Sequence, residues 1–431
     1  AGAAAYAMLL AAEPEPLSPV LRKIAREHNI SFGDFRRKYL ATSTPVIVDG
    51  WSTEPLLTRD DIVQSCGDDH LHDPCDPESI PVKSHVPGSH AWAGLADVPR
   101  DDASLATFRD LLAAQGNRSF RMADGEGREL SGAQLYLFDA SLAIYCPRLL
   151  AKLHAPRYFP VDYLRQMGPR FSTPCEGRPS HPSLFVGPGR SQSGFHRDSF
   201  GTRFWMAVHE GAKDIRLTDP ATTLRLKRAR PTPCDTMLVG IWATLKRAIS
   251  ERVTSELCGG YNVDLFANGD DAASALMAAL AADGERGVIW EGTVGAGELI
   301  FIPELWGHQV RNLLEPSIAV SYNLVDDFNL RTHATLLLEM QAALELLQPG
   351  PMRRPDQLEN TQNRVALLGF DIDQRGFPAR SVAALPDDAE GGSWAAFWER
   401  NQQKEPLELE AYLAQLQEWE EAGGLARVAP R

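Results

Sequence analysis

Phe185-Val-Gly-Pro-Gly-Arg-Ser-Gln-Ser-Gly-Phe-His196-Arg-Asp198, continuing Ser-Phe-Gly-Thr202-Arg-Phe-Trp205-Met206-Ala-Val-His-Glu-Gly211-Ala-Lys213 to Pro220, is the stretch on which the reading of this chain turns. At its centre is His-x-Asp. In extended backbone, residues i and i+2 point to one face, so His196 and Asp198 can aim an imidazole nitrogen and a carboxylate oxygen at one point. Such a pair suits a first-row metal held by two histidines and a carboxylate, a set that leaves coordination positions open. The second histidine expected is His308, in Gly297-Glu-Leu-Ile-Phe-Ile-Pro303-Glu-Leu-Trp306-Gly-His308-Gln-Val. This segment reads as a strand, a proline-marked turn and a second strand.

The triplet His196-Arg197-Asp198 also spells a protein-kinase catalytic motif. That reading requires an asparagine five residues after the aspartate, where Arg203 stands, and a following Asp-Phe-Gly that the chain lacks. Length and composition bound the remaining classes. The 431 residues suffice for one large or two moderate domains. No run of about 18 apolar residues suggests a membrane helix. A net charge of −14 disfavours phosphate-backbone binding and favours basic partners. The six cysteines (66, 75, 146, 175, 234, 258) are scattered without a Cys-x-x-Cys pair, and read as reduced thiols of an intracellular, cytoplasmic or nuclear protein. Cys66, His70, His72 and Cys75 fall within ten residues. Their spacing is not a standard zinc pattern, and the Asp-Pro and Gly signals fit a plain loop.

Outward from the central stretch, Ser18 and Pro19 read as the start of a helix carrying Leu21, Ile24 and Ala25. A second short helix is expected over Asn29–Thr44, then a buried strand from Pro45 to Trp51. Helices are expected to begin at Thr58 and to span Ala103–Gln115. Gln134–Asp139 reads as a strand with Tyr136 and Phe138 on one face and Leu135, Leu137 and Asp139 on the other. Residues 221–290 form a long excursion between the two metal-ligand segments. Its basic run Arg225-x-Lys227-Arg228-x-Arg230 reads as a solvated face. Trp242–Leu257 is a helix candidate, Tyr261–Phe266 a strand, and an Ala-rich helix begins at Asp270 or Asp271. Strands follow from Val288, over Leu299–Ile302, Gln309–Leu313 and Ser317–Leu324. Many short strands punctuated by Gly and Pro indicate a jelly-roll barrel. Thr332–Leu347 places Leu336, Met340, Ala343, Leu344 and Leu347 on one helical stripe. Two last helices carry Trp394, Phe397, Trp398, Tyr412, Leu416 and Trp419, a stripe that docks on the barrel or on a second copy of the chain. The resulting division is a lead-in over 1–129, a core over 130–328 with the 221–290 insertion, and a helical region over 329–431.

With both metal segments in view, the chain resembles the JmjC (Jumonji, cupin-like) iron(II)/2-oxoglutarate oxygenases, and within them the lysyl-hydroxylase branch. The resemblance rests on Leu135-Tyr-Leu-Phe-Asp139, Gly187-Pro-x-Arg-Ser-x-Ser-Gly194, His196-x-Asp198-x-x-Gly201-Thr202-x-x-Trp205, Gly211-x-Lys213, the His308 segment, and Asn312-Leu through Ser321-x-Asn323. It implies a mainly β, double-stranded β-helix barrel with helical additions and iron(II) held by His196, Asp198 and His308. It further implies that Lys213 holds the distal carboxylate of the co-substrate 2-oxoglutarate, helped by Tyr136 and Ser321, with Thr202 and Asn323 as further polar contacts. Dioxygen would be the oxidant, and succinate and carbon dioxide the co-products. Met206 departs from the pattern: close relatives carry an asparagine there, whose amide a thioether cannot replace. Phe204, Trp205 and Trp306 are apolar neighbours expected near the site. The reaction implied is hydroxylation of a protein side chain of the Lys/Arg/Asn class. The alternatives are N-methyl-lysine or N-methyl-arginine demethylation, oxidation of RNA or a small molecule, and a non-catalytic binding protein. The expected partner is a protein or peptide substrate of basic character, with nucleic acid and membrane disfavoured and a homodimer through the C-terminal helices open.

Overall fold

Seven of the eight residues of Arg203–Glu210 are buried, as expected of a strand covered on both faces. Phe204, Met206 and Val208 pack to one side and Trp205 and Ala207 to the other, and these two sets belong to separate apolar cores. The computed structural model describes residues 20–52, 54–71, 80–85, 95–98, 105–123, 128–166, 181–244, 250–266, 288–314, 316–347, 392–394 and 396. Its strands, in chain order, are β1 (Val20–Lys23), β2 (Ala25–His28), β3 (Val46–Asp49), β4 (Val82–His85), β5 (Leu95–Asp97), β6 (Arg121–Ala123), β7 (Glu129–Ser131), β8 (Leu135–Ser141), β9 (His154–Ala155), β10 (Ser183–Gly187), β11 (Arg203–Glu210), β12 (Ala212–Thr218), β13 (Val288–Gly295), β14 (Leu299–Ile302), β15 (Gly307–Asn312), β16 (Ser317–Leu324) and β17 (Gly392–Ser393). The helices are α1 (Phe32–Phe35), α2 (Arg59–Cys66), α3 (Phe108–Ala114), α4 (Leu142–Tyr145), α5 (Tyr163–Gln166), α6 (Pro220–Ala229), α7 (Pro233–Thr244), α8 (Glu251–Cys258) and α9 (Leu330–Leu347).

Nine strands form one sheet in the order β2-β3-β14-β11-β16-β10-β8-β4-β5, and four form a second, β1-β13-β12-β15. Facing residues of both sheets make the inner core: Phe204, Met206, Ile300, Phe185 and Phe138 from the larger, Ile215, Leu217, Val294 and Val310 from the smaller. The outer face of the larger sheet is covered by α1, α3 and the loops around Tyr158, through Phe35, Phe108, Leu111 and Phe159. This is the expected jelly-roll barrel with helical additions. β12 shows why the smaller sheet has a wet side: Lys213, Ile215 and Leu217 are buried, while Asp214 and Arg216 alternate outward.

Several local expectations hold. Thr58 caps a helix with a reciprocal capping box to Asp61; the helix expected over Ala103–Gln115 is shorter, Phe108–Ala114, because Thr107 caps it by the same device with Asp110. The helix expected over Asn29–Thr44 appears as α1 followed by a π-helical turn over Arg36–Leu40. On the α9 stripe Leu336, Met340 and Ala343 are buried; the side chains of Leu344 and Leu347 lie outside the described residues. So do Ser18, Pro19, the helix from Asp270 or Asp271, and the C-terminal helices beyond residue 396.

Others need correction. The helix carrying Leu21, Ile24 and Ala25 is instead β1 and β2, paired in parallel with β13 and β3. Ile24 sits between them as the buried residue, and Leu21 is exposed. Pairing with a strand about 268 positions downstream in register, Val20 with Val288, overrides a weak helical pattern. The candidate helix Trp242–Leu257 is split between α7 and α8. Tyr261–Phe266 is a turn rather than a strand: Asp264 accepts from the Phe266 amide, and Gln309 caps the Leu265 amide. The basic run is not wholly solvated. Lys227 is buried, 3.2 Å from Asp235, and donates to the carbonyl of Gly260. The cysteines are not all thiols either: Cys66 pairs with Cys146 and Cys234 with Cys258. Cys66 is thereby removed from any zinc set with His70; His72 and Cys75 lie outside the described residues. Among the described residues, no helix is long and apolar enough to cross a membrane.

Candidate active site

β15 carries His308, and His196 lies in the extended segment antiparallel to it. The His196 amide donates to the His308 carbonyl (3.0 Å) and the His308 amide to the His196 carbonyl (2.7 Å). This doubly bonded bridge sets the two rings side by side, with centroids 4.3 Å apart. Asp198 has extended dihedrals, as i+2 alignment requires, and its Oδ1 lies 3.8 Å from His308 Nε2. One ligand atom from each of His196, Asp198 and His308 falls within 4.8 Å of the others. The three residues predicted from two distant segments therefore converge.

The ring orientations suit coordination. His196 Nδ1 is 2.9 Å from the Gly194 carbonyl and His308 Nδ1 is 3.3 Å from the Trp306 carbonyl. A carbonyl only accepts, so each Nδ1 carries the hydrogen and each Nε2 carries the lone pair. Burial, and for His196 also the adjacent His308, pushes both imidazoles down to about 4, so they are neutral, the form a metal binds. Burial pushes the Asp198 carboxyl up to about 6. A buried carboxylate between neutral imidazoles lacks a balancing positive charge, which a divalent cation supplies. Asn323 works against that upward shift, and its Nδ2 donates to Thr202 Oγ1 at 3.0 Å. The structure thus sets Asn323 near Asp198 and ties Thr202 to Asn323, not to Lys213.

Beside this face lies a site of opposite sign. Lys213 is fully buried on β12, where its register partner is Asn312 of β15. Its Nζ donates to Asn312 Oδ1 (2.6 Å) and Tyr136 Oη (3.3 Å). Among the described residues Lys213 forms no ion pair, and burial pushes its ammonium down to about 7. Asn312 is itself fixed by donating to Ser191 Oγ at 2.7 Å. Close backbone approach completes the cradle: a Cβ on Gly187 would fall 2.5 Å from Asn312 Nδ2 and 2.8 Å from Ser191 Oγ. Ser321, two residues beyond the inner-core Ala319, is buried, and its Oγ has no hydrogen-bond partner among the described residues. It sits opposite Met206, which is itself in the inner core. An ammonium and a hydroxyl that are buried and, among the described residues, lack a counter-charge and a hydrogen-bond partner respectively are what a bound carboxylate would satisfy.

Of the expected aromatic neighbours, Phe204 stacks on His308 (centroids 5.8 Å, 22° between planes) and Trp306 meets Trp290 edge-on at 5.0 Å. Trp205 points the other way, into a stack with Phe159, Tyr322 and Trp394. Trp394 thereby docks on the outer face of the barrel.

Sequence reasoning also misplaced Asp139. Strand β8 is bulged against β10: Leu137 pairs with Val186 and Ala140 with Leu184, so Phe138 and Asp139 together oppose Phe185. Leu137 and Ala140 both pack in the outer core, which leaves Phe138 and Asp139 on the inner side. Asp139 is exposed, has φ 58°, and its charge acts on both His196 and Asp198. A solvent-facing carboxylate thus stands at the mouth of the metal face.

A family model described as "Cupin-like domain" matches residues 33–329. The chain is 26% identical over 311 residues to the arginine-specific demethylase JMJ22 of Arabidopsis thaliana, a match covering 71% of this chain but 47% of that protein. It is 22% identical over 339 residues to the 2-oxoglutarate and iron-dependent oxygenase JMJD4 homolog of Drosophila melanogaster, covering 74% of this chain and 67% of that one. The chain therefore spans about half the length of the plant relative.

Proposed function

The chain belongs to the cupin-like (JmjC) family, and from that premise we propose that it is an iron(II)- and 2-oxoglutarate-dependent oxygenase that hydroxylates a basic side chain of a protein. The observation that carries this reading is that one strand, β15, bears both halves of a complementary arrangement: His308 of the carboxylate–imidazole cluster and Asn312, which binds buried Lys213, a lysine with no ion pair among the described residues. One relative is named for the same iron and co-substrate.

His196, Asp198 and His308 would hold the iron, and a set of only three protein ligands would leave coordination positions open for exchangeable groups. Iron with 2-oxoglutarate and dioxygen supplies an oxidant strong enough to break an unreactive C–H bond. The protein's own share is orientation and dryness. Lys213 would pair with the far carboxylate of the co-substrate, and the hydroxyls of Tyr136 and Ser321 would donate hydrogen bonds to it. Asn312 keeps the ammonium aimed at that end. Phe204 excludes water from one side of His308. Asp139 and the net charge of −14 favour a cationic substrate side chain. Demethylation of a methylated arginine is the second reading, and the name of the plant relative favours it.

Succinate formation from 2-oxoglutarate with iron(II) and ascorbate tests the proposal, comparing the wild type with His196→Ala. Turnover abolished by the substitution is expected, and its absence in the wild type overturns the reading. Mass spectrometry of Lys- and Arg-centred peptides then separates the two chemistries: gain of an oxygen for hydroxylation, loss of a methylene for demethylation.

A further inference from the structure

Arg197 lies between two metal ligands and, in extended backbone, its side chain leaves on the face opposite theirs. It is nevertheless 4% exposed, and its guanidinium lies 2.5 Å from Glu256 Oε1 on α8, also 4% exposed. The second oxygen of the same carboxylate accepts from the Phe200 amide at 2.9 Å. One side chain of the insertion thus holds two points of the ligand segment, one on each side of Asp198.

The backbone so held is unusual. Phe200 (φ 59°) and Gly201 (φ 64°) are consecutive left-handed residues, a conformation a phenylalanine keeps only when its surroundings impose it. Glu256 fixes the Phe200 amide, and His333 Nδ1 of α9 binds the Phe200 carbonyl at 2.6 Å. Asn329 Nδ2 donates to the Gly201 carbonyl at 2.9 Å. The carboxylate has a firm base. α8 is capped by Ser250, Ser255 bonds Tyr261, and Cys258, two residues past Glu256, is paired to Cys234 of α7.

We propose that Glu256 is a positioning residue for the metal centre: by tying Arg197 and the Phe200 amide to α8, it holds Asp198 in coordinating geometry and makes metal retention depend on the insertion. The inference rests on the metal-site reading but not on any particular reaction, so its test uses metal binding alone. Cobalt(II) is the probe, with affinity measured by competition against a chelating dye and geometry read from its visible absorption. Glu256→Ala is expected to keep a cooperative unfolding transition, weaken cobalt(II) binding at least tenfold and alter the spectrum. Glu256→Gln has an oxygen for only one of the two donors and should fall between that variant and the wild type. Arg197→Met/Glu256→Met removes both charges while filling the same space, so it separates loss of positioning from loss of fold. It too should bind cobalt(II) at least tenfold more weakly. Wild-type affinity and spectrum in whichever of the three variants folds would overturn the proposal, as would a wild type that binds no cobalt(II). A wild type that binds cobalt(II) but makes no succinate with iron(II) would sink the oxygenase reading and leave this one to its own data.

Discussion

Substituting Lys213 by methionine should separate what the lysine costs the fold from what it does for the co-substrate. Unfolded, the side chain keeps its proton up to about 10.5; folded, it releases it near 7. Between those values the unfolded chain binds more protons, so this group's contribution makes stability rise with pH. The penalty is full below about 7 and gone above about 10.5, and amounts to something on the order of 4–5 kcal/mol. Lys213→Met is expected to abolish that pH slope, measured by urea unfolding at about pH 7 and about pH 9, and to abolish succinate formation. In the wild type, a neutral amine holds a carboxylate poorly, so KM for 2-oxoglutarate should climb as pH rises above about 7. Ser321→Ala removes the buried hydroxyl proposed to bind the same anion. It should raise that KM about tenfold with kcat little changed, because a hydrogen bond to a charged group contributes about 1.5–3 kcal/mol.

At the scale of the strand, the bulge in β8 is what turns Asp139 toward the site. Asp139→Asn should leave substrate-independent succinate formation intact while reducing oxidation of Lys- or Arg-centred peptides about tenfold, the size of one partly solvated charge pair. Equal rates on those peptides for the variant and the wild type would remove Asp139 from substrate recognition. The same bulge shows where sequence reading ends. The convergence of His196, Asp198 and His308 was legible because each residue is fixed by its own neighbours: extended i, i+2 spacing, and a Pro303-marked turn into a strand. Lys213 was legible as a lysine two residues past Gly211 on a strand. Strict alternation put Asp139 on the wrong face because an inserted residue shifts everything after it, and nothing in Phe-Asp-Ala announces one. β1 and β2 were missed for a different reason. What makes them strands is their pairing with Val288–Glu291 and Val46–Asp49, and neither pairing is written in residues 20–28. Glu256 was unreadable on the same ground, since its partners lie 56 and 59 positions away.

For the whole molecule, two covalent ties stand where scattered thiols were expected. They close loops with sequence separations of 80 and 24 residues. By chain entropy, ties of this kind are worth roughly 3–5 kcal/mol each. Spacing could not reveal them, because no rule joins Cys66 to Cys146 until the fold brings α2 beside α4. Thiol counting under denaturing conditions should find Cys66, Cys146, Cys234 and Cys258 unreactive before reduction, and reduction should lower the unfolding midpoint. The charge of −14 acts on the same scale. KM for basic peptides should rise with ionic strength as the attraction is screened.

The α7–α8 tie also bears on how the molecule must be handled. The proposed iron(II) centre would call for a reductant, whereas the Cys234–Cys258 tie between α7 and α8 opens on reduction. Disulfides open by thiolate attack, so dithiothreitol or glutathione would rescue the iron while loosening its support. Ascorbate, which brings no thiolate, is the choice that keeps the two oxidation states compatible.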